Sequence, residues 1–254
     1  MAANIDAVTI ELNTGHASIV SQPKLVASFI GHAAMALSGE LVLAPQLLKH
    51  WRARAATSCF AAVTHNLVER LKGSLPVDAG EVRGEVVDVT NRDHLETWFA
   101  KMDKADIVIS TVSALSPDWE TSWQADVTGT LNVLAVAEAK LKQSKVGAFT
   151  YVGSKASSFA TPGFESYGAC KAAMAHVVKS TAIRLAAEGV RMNVVSPGDT
   201  FEEGGFWDNI RTNAPDVYQQ TLAGNPFGRL ATRPNGCVYL QPAGQFRVRC
   251  KLVC

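Results

Sequence analysis

The sequence has no long apolar run, no strong charge of either sign and no cysteine pattern typical of disulfides. None of its apolar runs reaches the roughly 18 residues that a membrane-spanning helix needs. The net charge is +1 at pH 7, so the composition gives no support for binding to nucleic acid or to an acidic membrane surface. The first residues carry neither a basic stretch nor an apolar one of the signal-peptide kind. We therefore expect a soluble, cytoplasmic protein.

The cysteines and histidines give no evidence of a metal site or a disulfide framework. The five cysteines are odd in number, and three of them lie between residues 237 and 254. The six histidines are scattered and do not pair with cysteines at metal-ligand spacing. These observations favour a reducing compartment and predict no metal. A chain of 254 residues that is 47% hydrophobic fits one large α/β domain or two small ones.

The middle of the chain alternates between short β-rich runs and helical stretches. This order favours a doubly wound parallel sheet with helices on both faces, in a single domain over residues 1–254. Ligands of such sheets bind at the carboxyl ends of the strands. The predicted strands are 85–89, 106–110, 147–152 and 190–195, and the predicted helices are 94–101, 123–142 and 166–188. Polar or turn residues fall at the carboxyl ends of these strands, namely Asp88, Ser110, Ser154 and Pro197-Gly198.

Tyr167 and Lys171 are the clearest candidates for chemistry. They lie four residues apart, and residues at this spacing share one face of a helix. A nearby ammonium favours the phenolate and so lowers the pKa of a tyrosine. The pair therefore suits proton transfer near neutral pH. The alternative is an ordinary solvated helix face, but Ser154 upstream and the Pro197-Gly198 turn downstream favour a catalytic interpretation.

With these motifs, the chain resembles the short-chain dehydrogenase/reductase family from about residue 81 to residue 232. The resemblance implies an NAD(P)-dependent Rossmann-fold oxidoreductase. Tyr167 would be the general acid/base toward a carbonyl or alcohol, and Lys171 would lower its pKa and bind the nicotinamide ribose. Ser154, 13 residues before Tyr167, would hydrogen-bond the substrate oxygen.

The same resemblance implies further residues that contact the dinucleotide. It also implies a mobile substrate lid over residues 201–218, and assembly as a homo-oligomer, a tetramer or dimer. Either NADP or NAD fits, with a preference for NADP. The cofactor-binding residues that it indicates are Gly31, Asp88, Val89, Ser110, Val112, Tyr167, Lys171, Pro197 and Gly198.

Two departures from the family pattern point to a branch often labelled 3-oxoacyl-carrier-protein reductase-like. The usual Asn-Asn-Ala-Gly is here Ser110-Thr111-Val112-Ser113. The asparagine that usually holds a proton-relay water is here Asp126. A carboxylate at this position is compatible with two roles. It would either hold the water, or pair with Lys171 and weaken the effect of the ammonium on Tyr167.

Both ends of the chain depart further from the family. The expected glycine-rich phosphate loop is altered, with Lys24, Leu25 and Phe29 in place of the usual residues and only Gly31 matching its end. Residues 235–254 form an atypical tail, and a reading frame one base forward would permit a string typical of the family. The alternative function is therefore a catalytically impaired Rossmann protein, which would be a frameshifted or decayed gene product or a nucleotide-sensing binding protein.

Overall fold

The structure is a computed structural model that describes residues 58–62, 68–69 and 82–231. The altered phosphate loop with Gly31 and the tail over residues 235–254 lie outside the described residues. Within the described part of the chain, no helix is both long and apolar enough to span a membrane.

The strands form parallel pairs, as predicted for a doubly wound sheet. The first pair joins β1 to β2, and three further strands lie side by side in the order β3-β4-β5. All pairs between the described strands are parallel, which confirms the predicted fold class. The strands are β1 (Ser58–Ala62), β2 (Val82–Val86), β3 (Ile107–Ser110), β4 (Ala148–Val152) and β5 (Arg191–Val195).

The predicted strand 85–89 is wrong in its bounds, because β2 ends at Val86. The chain turns directly after it. Asp88 accepts hydrogen bonds from the backbone and hydroxyl of Thr90 at 2.9 and 2.7 Å, and its own carbonyl accepts one from the Asn91 backbone. Local bonds of this kind compete with a strand ladder. Asp88 and Val89 therefore lie in the turn beyond the strand.

The helices follow the predicted order, with one change of geometry. The predicted helix 123–142 begins with a seven-residue π-helical segment, Trp123–Gly129, and becomes α-helical only afterwards. Single π-helical turns are rare and occur often at functional sites. The α-helices are α1 (Arg92–Ala100), α2 (Trp119–Ser122), α3 (Thr130–Lys142), α4 (Glu165–Ala186), α5 (Phe206–Asn213) and α6 (Pro215–Gly224).

The core lies between the three-stranded sheet and the helices that cover it. All five residues of β4 are buried, in agreement with its mostly apolar sequence. Helix α4 packs on β5 and on the π-helical segment, and α1 packs on α3. The large residues of this core include Leu95, Phe99, Leu141, Phe149, Tyr151, Met174 and Leu185. The candidate site is thus built on the most buried part of the described chain.

Candidate active site

Four predicted catalytic residues meet beside the carboxyl end of β4. Ser154 begins the turn after β4, Tyr167 and Lys171 lie one turn apart on α4, and Asp126 lies on the π-helical segment. Their exposed fractions are only 4, 4, 1 and 0% in that order. Polar side chains so deeply buried are rarely tolerated without partners, so this cluster is a candidate active site.

The turn that carries Ser154 packs directly on α4. Gly168 makes this possible, because a Cβ at that position would lie 2.8 Å from Thr161 Oγ1 and 3.0 Å from the carbonyl oxygen of Ala156. The Ser154 hydroxyl accepts a hydrogen bond from the Ala156 backbone at 3.1 Å. The glycine next to Tyr167 therefore brings the serine and the tyrosine to the same place.

Lys171 and Asp126 form a fully buried ion pair. Lys171 Nζ lies 3.0 Å from Asp126 Oδ1, in a charge–charge contact that lacks the directional geometry of a hydrogen bond. The ammonium also donates to the backbone carbonyls of Val112 at 3.0 Å and Val152 at 3.4 Å. Of the two roles open to Asp126, this arrangement corresponds to pairing with the lysine.

The loop after β3 is tied to the same cluster. Asp126 Oδ2 accepts a hydrogen bond from the Ala114 backbone at 3.0 Å. The next residue, Leu115, has a φ of 45°, a left-handed conformation that is uncommon for a bulky side chain. The hydroxyls of Ser122 and Ser166 hold the loop from the other side, since both donate to the carbonyl of Ser116. These bonds keep a strained loop in one position.

The phenol of Tyr167 has no hydrogen-bond partner of normal geometry. Burial raises the pKa of Tyr167 above its usual value, while the charge of Lys171 and the nearby Ser154 hydroxyl lower it only in part. Asp126 and Tyr151 raise the pKa of Tyr167 further. The charge of Lys171 acts in the predicted direction, but the predicted net lowering of the Tyr167 pKa is wrong. The net shift is upward, because the phenol is buried and the ammonium is paired.

Some of the residues predicted to bind the dinucleotide lie close to one another. A Cβ on Gly129 would lie 2.8 Å from Val89 Cγ2 and 3.3 Å from Val112 Cγ1, so Val89 and Val112 both pack against this glycine. Ser110 is buried at the end of β3, and its hydroxyl has no partner. Asp88 is exposed and is held by Thr90.

Pro197 and Gly198 follow β5 beside the turn that carries Ser154. The Pro197 carbonyl accepts a hydrogen bond from the Lys155 backbone at 2.9 Å. The Lys155 side chain forms an ion pair with Asp199. Sequence analysis missed this pair, although both residues directly follow predicted site residues, Ser154 and Gly198.

Tyr151 was also missed. Its ring is 5.2 Å from Lys171 Nζ, a cation–π distance, and it belongs to the fully buried β4. Burial is the largest of the effects that raise the pKa of Tyr151, so this phenol stays neutral. Nothing in an apolar strand sequence distinguishes such a tyrosine from one that only packs in the core.

A family description matches most of this region. The model of the family described as "Enoyl-(Acyl carrier protein) reductase" matches residues 46–237, more than half of the chain. The chain belongs to the short-chain dehydrogenase/reductase family. This confirms the predicted family.

Curated relatives from this family are distant. The chain is 27% identical to 2,3-dihydro-2,3-dihydroxybenzoate dehydrogenase of Escherichia coli (strain K12), over 58% of this chain and 66% of that protein. It is 26% identical to isoepoxydon dehydrogenase patN of Penicillium expansum, over 58% of this chain and 61% of that protein. It is also 28% identical to a 3-oxoacyl-[acyl-carrier-protein] reductase of Haemophilus influenzae, over 46% and 53%. The chain thus spans less than two thirds of the length of each.

Solved structures of the family share the fold. An NAD+-bound xylitol dehydrogenase superposes with a TM-score of 0.68 at 18% identity, over 80% of this chain and 85% of that one. A 7α-hydroxysteroid dehydrogenase complexed with NADH and 7-oxo glycochenodeoxycholic acid superposes with a TM-score of 0.62 at 17% identity, over 70% of this chain and 73% of that one. These likenesses confirm the Rossmann-like fold.

Proposed function

We propose that the chain is an NAD(P)-dependent oxidoreductase that interconverts a small carbonyl compound and its alcohol. One observation carries the proposal: Ser154 from the turn after β4 and the pair Tyr167 and Lys171 from α4 meet in one buried cluster at the end of a parallel strand. Family membership and the nucleotide-bound structures that share this fold support it.

The described residues fit a nicotinamide dinucleotide. The unpartnered hydroxyls of Ser110 and Tyr167 are buried polar groups with free hydrogen-bonding capacity. We propose that Ser110, Val112, Pro197 and Gly198 line the cofactor site, with Asp88 and Val89 at its outer end. The cofactor would supply or accept the hydride. Structures with bound NADP, NADPH, NAD+ and NADH all occur among the proteins that share this fold, so both cofactors stay candidates.

In this proposal the side chains of the cluster handle the proton and the substrate oxygen. Ser154 would donate a hydrogen bond to the substrate oxygen. Tyr167 would give its phenolic proton to that oxygen in reduction and take it back in oxidation. Lys171 would hold positive charge beside the phenol, since its Nζ lies 5.7 Å from the Tyr167 ring.

We propose that residues 201–218 cover the substrate. Phe206 of α5 makes an edge contact with Phe164, which directly precedes α4, at 5.7 Å between ring centroids. Trp207 and Tyr218 extend this aromatic cluster, with ring centroids 6.5 Å apart. Aromatic side chains at the start of the helix that bears Tyr167 suit an apolar or ring-shaped substrate.

A second candidate, a catalytically impaired Rossmann protein, is favoured by the Asp126–Lys171 pair. The Asp126 carboxylate offsets the positive charge of Lys171, which would otherwise lower the pKa of Tyr167 more strongly. Titration of the purified chain with NADPH and NADH, followed by tryptophan fluorescence, separates the two candidates. Binding in the micromolar range followed by turnover of a carbonyl supports the enzyme. A folded chain that binds neither nucleotide supports the impaired protein.

Tyr167→Phe is the decisive variant for the enzyme. We expect turnover to fall by about 10²–10⁴, the usual contribution of a positioned acid/base. Stability should change little, because the buried hydroxyl has no hydrogen-bond partner to lose. Tyr218→Phe, in the proposed lid, is the matched control and should keep most of its activity. Unchanged turnover in Tyr167→Phe would contradict the proposed role.

The single-domain organisation, cytoplasmic location and homo-oligomeric assembly stay predictions.

A further inference from the structure

We propose that Asp126 is a positioning residue that holds Lys171 in a buried ion pair and thereby moves proton exchange at Tyr167 to higher pH. The inference rests on the proposed function of Tyr167 as acid/base. It assigns to Asp126 a role that acts through Lys171.

Geometry supports the pairing. Asp126 and Lys171 are 0 and 1% exposed, and 3.0 Å separates Oδ1 from Nζ. Charges interact more strongly in a buried site than in water, so the carboxylate offsets much of the field of the ammonium. The second carboxylate oxygen is held by the Ala114 backbone at 3.0 Å, which fixes the side chain in this orientation.

The other groups around Tyr167 do not supply a competing charge at neutral pH. The groups that act on Tyr167 are the Tyr151 phenol from β4, Lys171 from α4, Asp126 from the π-helical segment and the Ser154 hydroxyl from the turn after β4. The Cys170 thiol of α4 lies beside Tyr151, Asp126 and Lys171. Burial raises the pKa values of both Tyr151 and Cys170, so these two stay protonated. Lys171 and Asp126 are therefore the opposing charges that act on the phenol.

The Asp126→Asn variant tests the charge of residue 126 without changing the shape of its side chain. An asparagine has the same shape and retains an oxygen that accepts the Ala114 backbone hydrogen bond. It removes the negative charge and leaves Lys171 uncompensated beside Tyr167. Glu138→Gln is the matched control, because it removes one carboxylate from an ion pair on the outer face of α3.

Tyrosinate absorbance measured against pH reads out the effect without any turnover. The signal of Tyr167 is obtained by subtracting the corresponding Tyr167→Phe protein from each variant. In Asp126→Asn the titration of Tyr167 should move down by about one pH unit or more, as expected for an uncompensated charge within a few ångströms. In Glu138→Gln it should not move.

An unchanged titration of Tyr167 in Asp126→Asn would overturn the inference. If that variant does not fold, Asp126→Ser, which removes the same charge with a smaller side chain, is titrated in the same way. A downward shift of the Tyr167 titration in that variant supports the inference, and an unchanged titration overturns it. Because these readouts need no cofactor, a protein without oxidoreductase activity would contradict the proposed function and leave this test intact. In an active protein, the pH–rate profile should follow the same shift.

Discussion

Two groups of ion pairs in this molecule have similar distances but different surroundings. Asp126 and Lys171 are buried and lie 3.0 Å apart. On the outer faces of α3 and α4, Glu138 binds Arg184 through two contacts at 2.8 and 2.7 Å and also binds Lys142 at 2.7 Å. The outer contacts are shorter, yet the Arg184 side chain is 56% exposed.

The distance between the charged atoms therefore does not show which ion pair matters more for stability. Water and salt screen the exposed charges, so the outer pairs contribute little to stability. A buried charge costs free energy unless its partner is present, so each member of the inner pair depends on the other. The Glu138 pairs are solvated surface contacts, whereas the buried Asp126–Lys171 pair fixes the positions of side chains in the candidate active site.

Removal of one buried charge should have the largest effect on stability. Lys171→Met leaves Asp126 without its partner, and we expect unfolding free energy to fall by about 3–5 kcal/mol. Arg184→Met is the matched control, and it should cost only about 0–1 kcal/mol. Urea denaturation of both variants measures the difference. Equal stabilities would break the comparison between the two groups.

Disturbed packing of the turn that carries Ser154 should have an intermediate effect on stability. In Gly168→Ala the new methyl group would meet Thr161 Oγ1 at 2.8 Å and the Ala156 carbonyl at 3.0 Å, so the turn that carries Ser154 must move. We expect a loss of about 1–3 kcal/mol.

Gly224→Ala in α6 is the control, because nothing lies within 4 Å of a Cβ there. It should leave stability unchanged or raise it by up to about 1 kcal/mol, through a less flexible unfolded chain. Thermal unfolding of the two alanine variants compares them directly. A Gly168→Ala protein as stable as the wild type would mean that the turn is not tightly packed on α4.

Loss of the exposed Glu138 ion pairs should have the smallest effect on stability, and this effect should depend on pH. Hydrogen bonding to Arg184 is the main cause that lowers the pKa of Glu138 from 4.5 to about 2. A lowered folded-state pKa adds stability above pH 4.5, and this contribution is lost as the pH falls towards 2. Exposure limits it to about 1 kcal/mol. The stability difference between wild type and Glu138→Gln should therefore shrink over this range in acid denaturation curves, whereas a constant difference would contradict the assignment.

Local sequence patterns predicted much of the described fold. The mostly apolar run before Ser154 predicted β4, and the i, i+4 spacing of Tyr167 and Lys171 predicted that both side chains share a face of α4. Gly189, which follows this helix, has a φ of 79°, the left-handed conformation that ends a helix. The helix predicted over residues 123–142 missed its π-helical start, because an apolar period does not distinguish hydrogen bonds to the fourth residue from those to the fifth.

By itself the sequence determined the parallel order of strands and helices and the family, and it predicted the candidate catalytic side chains, because these depend on periodicity and on spacing along one element. Only the tertiary structure decided that Asp126 pairs with Lys171, that Tyr151 faces the same ammonium, and that burial raises the pKa of Tyr167. These properties arise between residues that are distant in sequence. Their strength depends on the exclusion of water, which no local pattern specifies.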